Sequence, residues 1–168
     1  MEYSVSTLKT NTIQAATGTT VNLASGQVFT APGHVIQTVT VASTSNGSTT
    51  SSSYAAATGL SASITPSSTS SKILVLVNSS AFTSSSNTEG AYTIYRGGSN
   101  IGDANGISRA YAGNSDVIYP LSMHILDSPS STSSVTYAVY MKRTQGSGTV
   151  QNNLRGCTQS ITLQEIAQ

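Results

Sequence analysis

The sequence predicts an all-β protein, an antiparallel β-sandwich or jelly roll with an extended N-terminal arm. Apolar runs rich in Val, Ile, Leu and Tyr, such as residues 72–77 and 135–142, have the composition of buried or half-buried strands. Gly, Pro, Asn and Ser separate these runs at short intervals, as turns do between strands. No segment repeats apolar residues every ~3.6 positions over several turns, so helices are not expected.

The strands follow one another in order from His34 onward. A run of alternating polarity opens the head, and Gly59 interrupts the next apolar region. The predicted strands cover residues 34–42, 53–58, 60–64, 72–77, 91–96, 107–111, 117–126, 135–142, 149–152 and 160–166. The predicted connections are a Gly97-Gly98 hairpin turn into residues 99–102, a loop at 127–134, and Ser-rich linkers at 43–53 and 67–71.

Residues 1–33 differ from the rest of the chain, because they contain too few apolar residues to close a core of their own. We interpret them as an extended arm with short strands that is buried only against other chains. Residues 34–168 then form the β-sandwich head as one domain. The apolar residues of the arm are its candidate assembly anchors: Leu8, Ile13, Val21, Leu23, Val28 and Phe29.

The chain has an unusually low charge content. Charged residues make up 8% of the sequence, against about 25% in an ordinary soluble domain. A free monomer normally carries more surface charge for solubility, so this composition indicates a protein that hides much of its surface against copies of itself or a larger assembly. The net charge is +1 and no basic cluster is present, which argues against nucleic-acid binding.

Two further absences bear on where such a chain is made. No apolar run approaches the ~20 residues that a membrane helix needs, so membrane insertion is not expected. The sequence opens without the basic and apolar regions of a secretory leader, so we expect synthesis in a cytosol.

The single Cys157 rules out an intrachain disulfide, and we expect it to be a small, half-buried hydrophobe.

Catalytic and metal-binding patterns are scarce. Two His and one Cys are scattered along the chain, which predicts no closed zinc site. Residues 102–106 have the composition of a tight turn and lack the remaining ligands of a calcium loop. His124 and Asp127 lie three positions apart, but no Gly-x-Ser-x-Gly motif supplies a nucleophile. We therefore expect no enzymatic activity, no metal ion and no cofactor.

The tyrosines occur in two pairs with the same spacing. Tyr92 and Tyr95 lie three positions apart in one predicted strand, and Tyr137 and Tyr140 do so in another. Side chains three apart in a strand point to opposite faces, so one member of each pair is expected in the core and one outside. Packing in a core or interface is favoured over a sugar-stacking surface, which stays open as the alternative.

Two parts of the sequence resemble known families. Residues 6–37, STLKTNTIQAATGTTVNLASGQVFTAPGHVIQ, resemble a module of tailed-bacteriophage structural proteins whose short strands intertwine in trimers. The segment LDSPSSTSSVTY at residues 126–137 and the closing SITLQEI at 160–166 resemble jelly-roll heads that are similar to trimeric tumour-necrosis-factor-like sandwiches. The resemblance implies a bacteriophage virion protein that assembles as a homotrimer.

A short arm followed by one head is similar to the plan of capsid cement or decoration proteins, which clamp neighbouring capsid subunits. The resemblance implies partners that are copies of the chain itself and the major capsid protein or other virion proteins. It implies a virion location, on the capsid surface, after synthesis in a bacterial cytoplasm. The alternative is a tail-fibre or receptor-binding tip, because the arm is fibre-like. A third hypothesis has outward loops at residues 84–90 and 103–106 binding host glycans, and no receptor-binding residue is identified.

Overall fold

A computed structural model describes residues 31–84 and 87–168. Within these ranges the chain forms strands joined by turns and loops and has no helix, which confirms the predicted all-β class. The strands, numbered in chain order, are β1 Val35–Ser43, β2 Gly47–Thr49, β3 Ala55–Ile64, β4 Lys72–Thr83, β5 Thr88–Arg96, β6 Ser99–Asn100, β7 Ser108–Ala112, β8 Val117–Asp127, β9 Val135–Gln145, β10 Val150–Asn152 and β11 Gln159–Ile166.

The strands form two antiparallel sheets, which we name after their central strands. The β4 sheet has the order β1-β11-β4-β8, and the short β10 and β2 continue it past β11 along the end of β4. The β9 sheet has the order β3-β9-β5-β7, with β6 folded back on β5 as the predicted hairpin. Among the eight longer strands the chain crosses between sheets at every connection except β5 to β7, which is the winding of a jelly roll.

The core lies between the two sheets. Side chains of β4 alternate between the inside and the outside, so that Ile73 and Val75 are fully buried while Leu76 on the other face is 39% exposed. The β9 sheet contributes Ile94 and Val139, which are also fully buried. Each fully buried side chain of this size stabilises the fold by about 1.5–3 kcal/mol.

The two largest differences from the predicted strand boundaries arise from strand pairing. β4 continues beyond residue 77 to Thr83, since β8 pairs with it along nearly its whole length and β10 pairs with its last residues. The two segments predicted around Gly59 are one strand, β3, in which the pairing with β9 shifts register between Ala56 and Ser61. Gly59 has a φ of 77°, a conformation that glycine adopts without the steric cost of a Cβ.

Two further expectations were wrong in part. The segment 43–53, predicted as a linker, contains the short strand β2, which pairs with β10. Cys157 is exposed in the connection between β10 and β11, not half-buried. Residues 67–71 do connect β3 with β4 outside any strand, as predicted.

The last residues of the predicted arm form the turn that leads into β1. The amide N–H of His34 donates to the carbonyl oxygen of Ala31 over 3.0 Å, and Gly33 has a φ of 84°, as in a type II turn with proline before the glycine. The Gly33 N–H also donates to the carbonyl oxygen of Ala167 over 2.9 Å. The rest of the arm, residues 1–30, lies outside the described residues, and with it all six predicted anchors: Leu8, Ile13, Val21, Leu23, Val28 and Phe29.

A buried carboxylate fixes the same end of the molecule. Glu165 of β11 is fully buried, and one of its oxygens accepts hydrogen bonds from the backbone N–H and the hydroxyl of Ser67, both at 2.7 Å. The other oxygen accepts from the Gln37 amide of β1 at 2.6 Å. Burial raises the pKa of Glu165, but these hydrogen bonds outweigh it and bring the pKa below its usual value. The ionised carboxylate therefore ties the starts of β1 and of the β3–β4 connection to the end of β11.

A second polar group joins the two sheets near the end of β8. Asp127 accepts hydrogen bonds from the Arg96 guanidinium at 2.8 and 2.9 Å and from the Tyr137 hydroxyl at 2.7 Å. Arg96 and Tyr137 belong to the β9 sheet, whereas Asp127 belongs to the β4 sheet. Burial and the neighbouring Asp127 both raise the pKa of Tyr137, so this tyrosine stays a hydrogen-bond donor.

Candidate functional site

The structure separates the residues that came nearest to a catalytic pattern. His124 is exposed on the outer face of the β4 sheet, while Asp127 is turned toward Arg96 and Tyr137 of the other sheet. The described residues contain no group of three or more His, Cys, Asp or Glu side chains that would hold a metal ion. The segment 102–106 is a tight turn, as predicted, because the Gly106 N–H donates to the carbonyl oxygen of Asp103 over 3.0 Å.

The outer face of the β4 sheet carries an apolar strip, which consists of Leu74 and Leu76 of β4 and Leu126 of β8. Leu74 lies directly opposite Leu126 in the strand pairing, and Leu76 is the next outward residue along β4. Leu76 is 39% exposed and Leu126 is 51% exposed. A shallow depression of about 230 Å³ is lined by Leu76 together with His124 and Thr162. A central strand thus presents leucines to solvent on one of its two faces.

β8 forms one edge of the β4 sheet. It pairs with β4 over eleven positions, from Val117 to Asp127, and no strand among the described residues pairs with its other side. Its only ionisable groups besides Asp127 are His124 and Tyr119, and the Tyr119 hydroxyl is bound to the carbonyl oxygen of Tyr111 at 2.6 Å. Proteins commonly protect such an edge with lysines or bulges, because its free N–H and C=O groups attract further strands. β8 has no lysine, and the one residue in it that disfavours pairing is Pro120, which has no backbone N–H to donate.

The outer face of the β9 sheet carries tyrosines instead. Tyr92 and Tyr137 are fully buried in the core, whereas Tyr95 and Tyr140 are half-buried on the outer face. The prediction that each pair is split between the two faces is therefore confirmed. The rings of Tyr95 and Tyr140 stack on each other with centroids 3.9 Å apart and planes inclined by 15°.

A third ring extends this tyrosine cluster. Tyr54 contacts Tyr95 edge to face, with ring centroids 5.9 Å apart. The Lys142 ammonium lies 4.4 Å from the centre of the Tyr54 ring and donates to the carbonyl oxygen of Ala104 over 3.1 Å. Burial, helped by Tyr95 and Asp103, raises the pKa of the Tyr54 hydroxyl, and the charge of Arg109 only partly opposes this. The hydroxyl is therefore neutral near pH 7.

An open cleft of about 220 Å³ lies against this cluster. Tyr95 and Tyr140 line one part of it, and the small side chains of Ala56, Ala138 and Ser61 line another. Ser61 lies directly opposite Ala138 in the pairing of β3 with β9, and Ala56 lies opposite Tyr140. The cleft thus runs over the outer surface of β3 and β9.

One of the two segments predicted to be glycan-binding loops, residues 84–90, is mostly not a loop. Most of the described part of residues 84–90 belongs to β5, where Thr88 and Gly90 are buried. A Cβ at Gly90 would lie 2.6 Å from the Val150 side chain, so this position requires glycine. Residues 103–105 are exposed as expected. The apolar strip and the cleft escaped sequence reasoning, because both depend on which strands become neighbours.

These two surfaces lie on a head with the winding of a jelly roll, an architecture of viral capsid domains and lectins. The chain is similar to solved structures of infectious bursal disease virus: a mutant VP2 protein in derived T=1 particles (15% identity, TM-score 0.34) and the Gt strain (15% identity, TM-score 0.35). The matches cover 88% and 89% of this chain but 40% and 42% of those chains. The chain therefore spans well under half the length of these structures, and the TM-scores are too low for the likeness to bear on function.

Other comparisons add no relative. No protein-family model matches the sequence, and the search of curated proteins gives no match. Within residues 31–84 and 87–168, no helix is long and apolar enough to cross a membrane.

Proposed function

We propose that this chain is a non-enzymatic structural protein of a bacteriophage virion, a homotrimeric capsid cement or decoration protein. In this proposal residues 34–168 are the head on the capsid surface, and residues 1–33 are the arm that holds neighbouring subunits. The partners are copies of the chain and the major capsid protein or other virion proteins. No metal, cofactor, nucleic acid or membrane takes part.

The observation that carries this proposal is the apolar strip next to the β8 edge. Leu76 and Leu126 are exposed on the same face of the sheet, in diagonal positions of the paired strands β4 and β8. No lysine or arginine among the described residues lines the depression at Leu76. Burying a leucine side chain gains about 1.5–3 kcal/mol, and the adjacent free strand edge offers main-chain hydrogen bonds. Together they favour contact with another chain over a solvated surface.

The mechanism is physical. The arm extends from the Ala31–His34 turn, which is anchored to Ala167, and up to 30 residues can span roughly 100 Å when extended. Its apolar residues contact neighbouring chains, and its backbone adds to sheet edges by β-augmentation. In a trimer three arms act together, so their combined hold exceeds that of each contact alone. The predicted contact residues are Leu8, Ile13, Val21, Leu23, Val28 and Phe29.

The second candidate is a tail-fibre or receptor-binding tip. It is favoured by the fibre-like sequence of residues 6–37. The two functions use the same trimer and differ in where the arm attaches.

Cryo-electron microscopy of intact virions tests both. We expect density for the head at threefold or quasi-threefold positions of the capsid, with residues 1–33 running between capsid subunits. Density at the tail alone would overturn the capsid role and leave the fibre tip. Absence of the protein from purified virions, checked by mass spectrometry, would overturn both.

A further inference from the structure

The cleft on the outer face of the β9 sheet has no role in the proposed assembly, since it lies on the opposite side of the sandwich from the apolar strip. Aromatic side chains form its wall, and small side chains form its floor. Tyr95 and Tyr140 form one side, and Ala56 and Ala138 leave the space beside them unfilled. Alanine is depleted in strands, because it packs poorly against its cross-strand neighbours. Two outward alanines next to a pair of stacked rings therefore leave a recess rather than a packed surface.

The aromatic wall is held in place before any ligand arrives. Tyr95 stacks on Tyr140 and also contacts the Tyr54 ring edge to face. Tyr54 is itself fixed by the Lys142 ammonium over its ring and by a hydrogen bond of its hydroxyl to the carbonyl oxygen of Ala104 at 3.4 Å. A ligand that packs on this wall loses little free energy in ordering it, because the rings are already immobilised.

The polar groups of the cleft are neutral. Ser61 and Thr136 contribute hydroxyl groups to its lining. The Gly97-Gly98 turn borders it with backbone alone, because glycine has no side chain. No charged side chain lines the cleft. The Thr136 hydroxyl is bonded to that of Ser63 at 2.7 Å, which leaves its second lone pair for another donor. An ionic ligand would find no counter-charge here, whereas a ligand with an apolar face and a rim of hydroxyls would find both partners.

We infer that this cleft binds a neutral saccharide, with one sugar ring packed against the Tyr140 ring and its hydroxyls bonded to Ser61 and Thr136. The C–H face of a pyranose is apolar and flat, which matches an aromatic ring, and its hydroxyls match serine and threonine. A volume of about 220 Å³ is below the ~300 Å³ of sites for drug-sized ligands. The cleft therefore accommodates a single ring of a longer chain, and binding by one subunit is weak, with a Kd of about 1 mM.

Titration of the full-length chain with neutral oligosaccharides tests this inference. The probes are maltotetraose, the β-1,4-linked tetramer of N-acetylglucosamine, and mannotetraose, with sialyllactose as the charged comparison. The chain has eight Tyr and no Trp, so its fluorescence reports on tyrosines, and saturation-transfer NMR identifies the bound ring. We expect at least one neutral probe to bind, and to bind more tightly than sialyllactose.

Three variants test whether the sugar binds in the cleft. Tyr140→Ala removes the stacking ring and is expected to weaken binding about tenfold. Ala138→Gln fills the floor without removing any ring and is expected to abolish binding. The matched control is Tyr111→Ala, which removes an exposed tyrosine of β7 outside the cleft and should bind like the wild type. Circular dichroism confirms that each variant is folded.

Two outcomes would overturn the inference. One is that no neutral probe binds the wild-type chain at concentrations up to about 10 mM. The other is that Ala138→Gln binds sugar as tightly as the wild type, since the cleft would then not be the binding site. The proposed virion role is untouched by either result, because it rests on the opposite face.

Discussion

The two sheets carry different chemistry on their outer faces. On the β4 sheet, Leu76 and Leu126 are exposed by 39% and 51% and touch no covering element among the described residues. On the β9 sheet, Tyr95 and Tyr140 stack on each other and are only partly exposed. One face satisfies its apolar groups within the subunit, and the other leaves them open to solvent.

This difference shows how a chain with so little charge divides its surface. The aromatic face also carries Lys142 and, at its margin, Arg109 paired with Glu89 at 3.4 Å. On the aliphatic face, His124 lies opposite Leu76, and Lys72 lies two positions before Leu74 at the start of β4. The part of the β4 sheet around Leu76 and Leu126 therefore carries little charge, and we expect it to be the surface that meets a neighbour.

The largest expected effect is on the free energy of unfolding, and it distinguishes the inward face of β4 from its outward face. Ile73→Ala removes a fully buried side chain and should lower the free energy of unfolding by about 2–5 kcal/mol, because it leaves a cavity. Leu76→Ala removes an outward side chain three residues away and should cost less than about 1 kcal/mol within one subunit. Urea denaturation of both variants measures this at a concentration where light scattering gives them the same mass. Equal losses would mean that Leu76 belongs to the core.

The next effect concerns assembly. Leu126→Lys places a charge in the apolar strip and should raise the dissociation constant of the oligomer by at least about tenfold, because a leucine contact is lost and a cation is desolvated. Ser63→Lys adds the same charge to the exposed outer face of the β9 sheet and should leave the mass unchanged. Size-exclusion chromatography with light scattering measures both. A wild type that stays monomeric at every concentration would contradict a trimer in solution.

A smaller effect should come from the tyrosine stack. Tyr95→Leu and Tyr140→Leu keep apolar bulk while removing one ring each. The double-mutant cycle should give a coupling of about 0.5–1.5 kcal/mol in the free energy of unfolding, as for other aromatic pairs. Tyr111→Leu paired with Tyr140→Leu is the matched control, and its coupling should be near zero. The same coupling in both cycles would show that the stack adds nothing specific.

The smallest effect is a change in the pH dependence of stability. The pKa of Glu165 lies below its usual value of 4.5 in the folded chain. Its contribution is therefore complete above the unfolded pKa and is lost as the pH falls through the lower, folded pKa. Thermal unfolding of Glu165→Gln between pH 6 and acid should show a flatter decline than the wild type. Glu89→Gln, whose carboxylate is partly exposed, is the control.

Local patterns in the sequence were enough for much of the fold. Tyr92 and Tyr95 point to opposite faces because strand side chains alternate, and that alternation depends on no other strand. The apolar run at residues 72–77 predicts a strand, and this strand lies between β11 and β8 in the β4 sheet. The run does not show whether both faces of the strand are covered, and Leu76 is exposed because no layer among the described residues covers that face of the sheet.

The candidate sites depend on long-range pairing, which local patterns do not contain. Tyr95 meets Tyr140 because β5 pairs with β9 so that Thr93 lies opposite Tyr140 and Tyr95 lies opposite Ala138. A shift of one residue would turn one of these rings into the core. The composition alone predicts that the chain hides a surface, but the pairing of Leu74 with Leu126 is what forms an apolar strip on the β4 sheet.

The exposed cysteine has a practical consequence. Cys157 is the single thiol of the chain, and it lies on a surface turn whose backbone is fixed by a hydrogen bond from the Asn153 amide to the Cys157 carbonyl oxygen at 2.6 Å. A maleimide reagent would therefore attach one dye or cargo molecule per subunit at a defined place. On a particle coated with this protein, the spacing of the subunits would set the distances between the attached molecules.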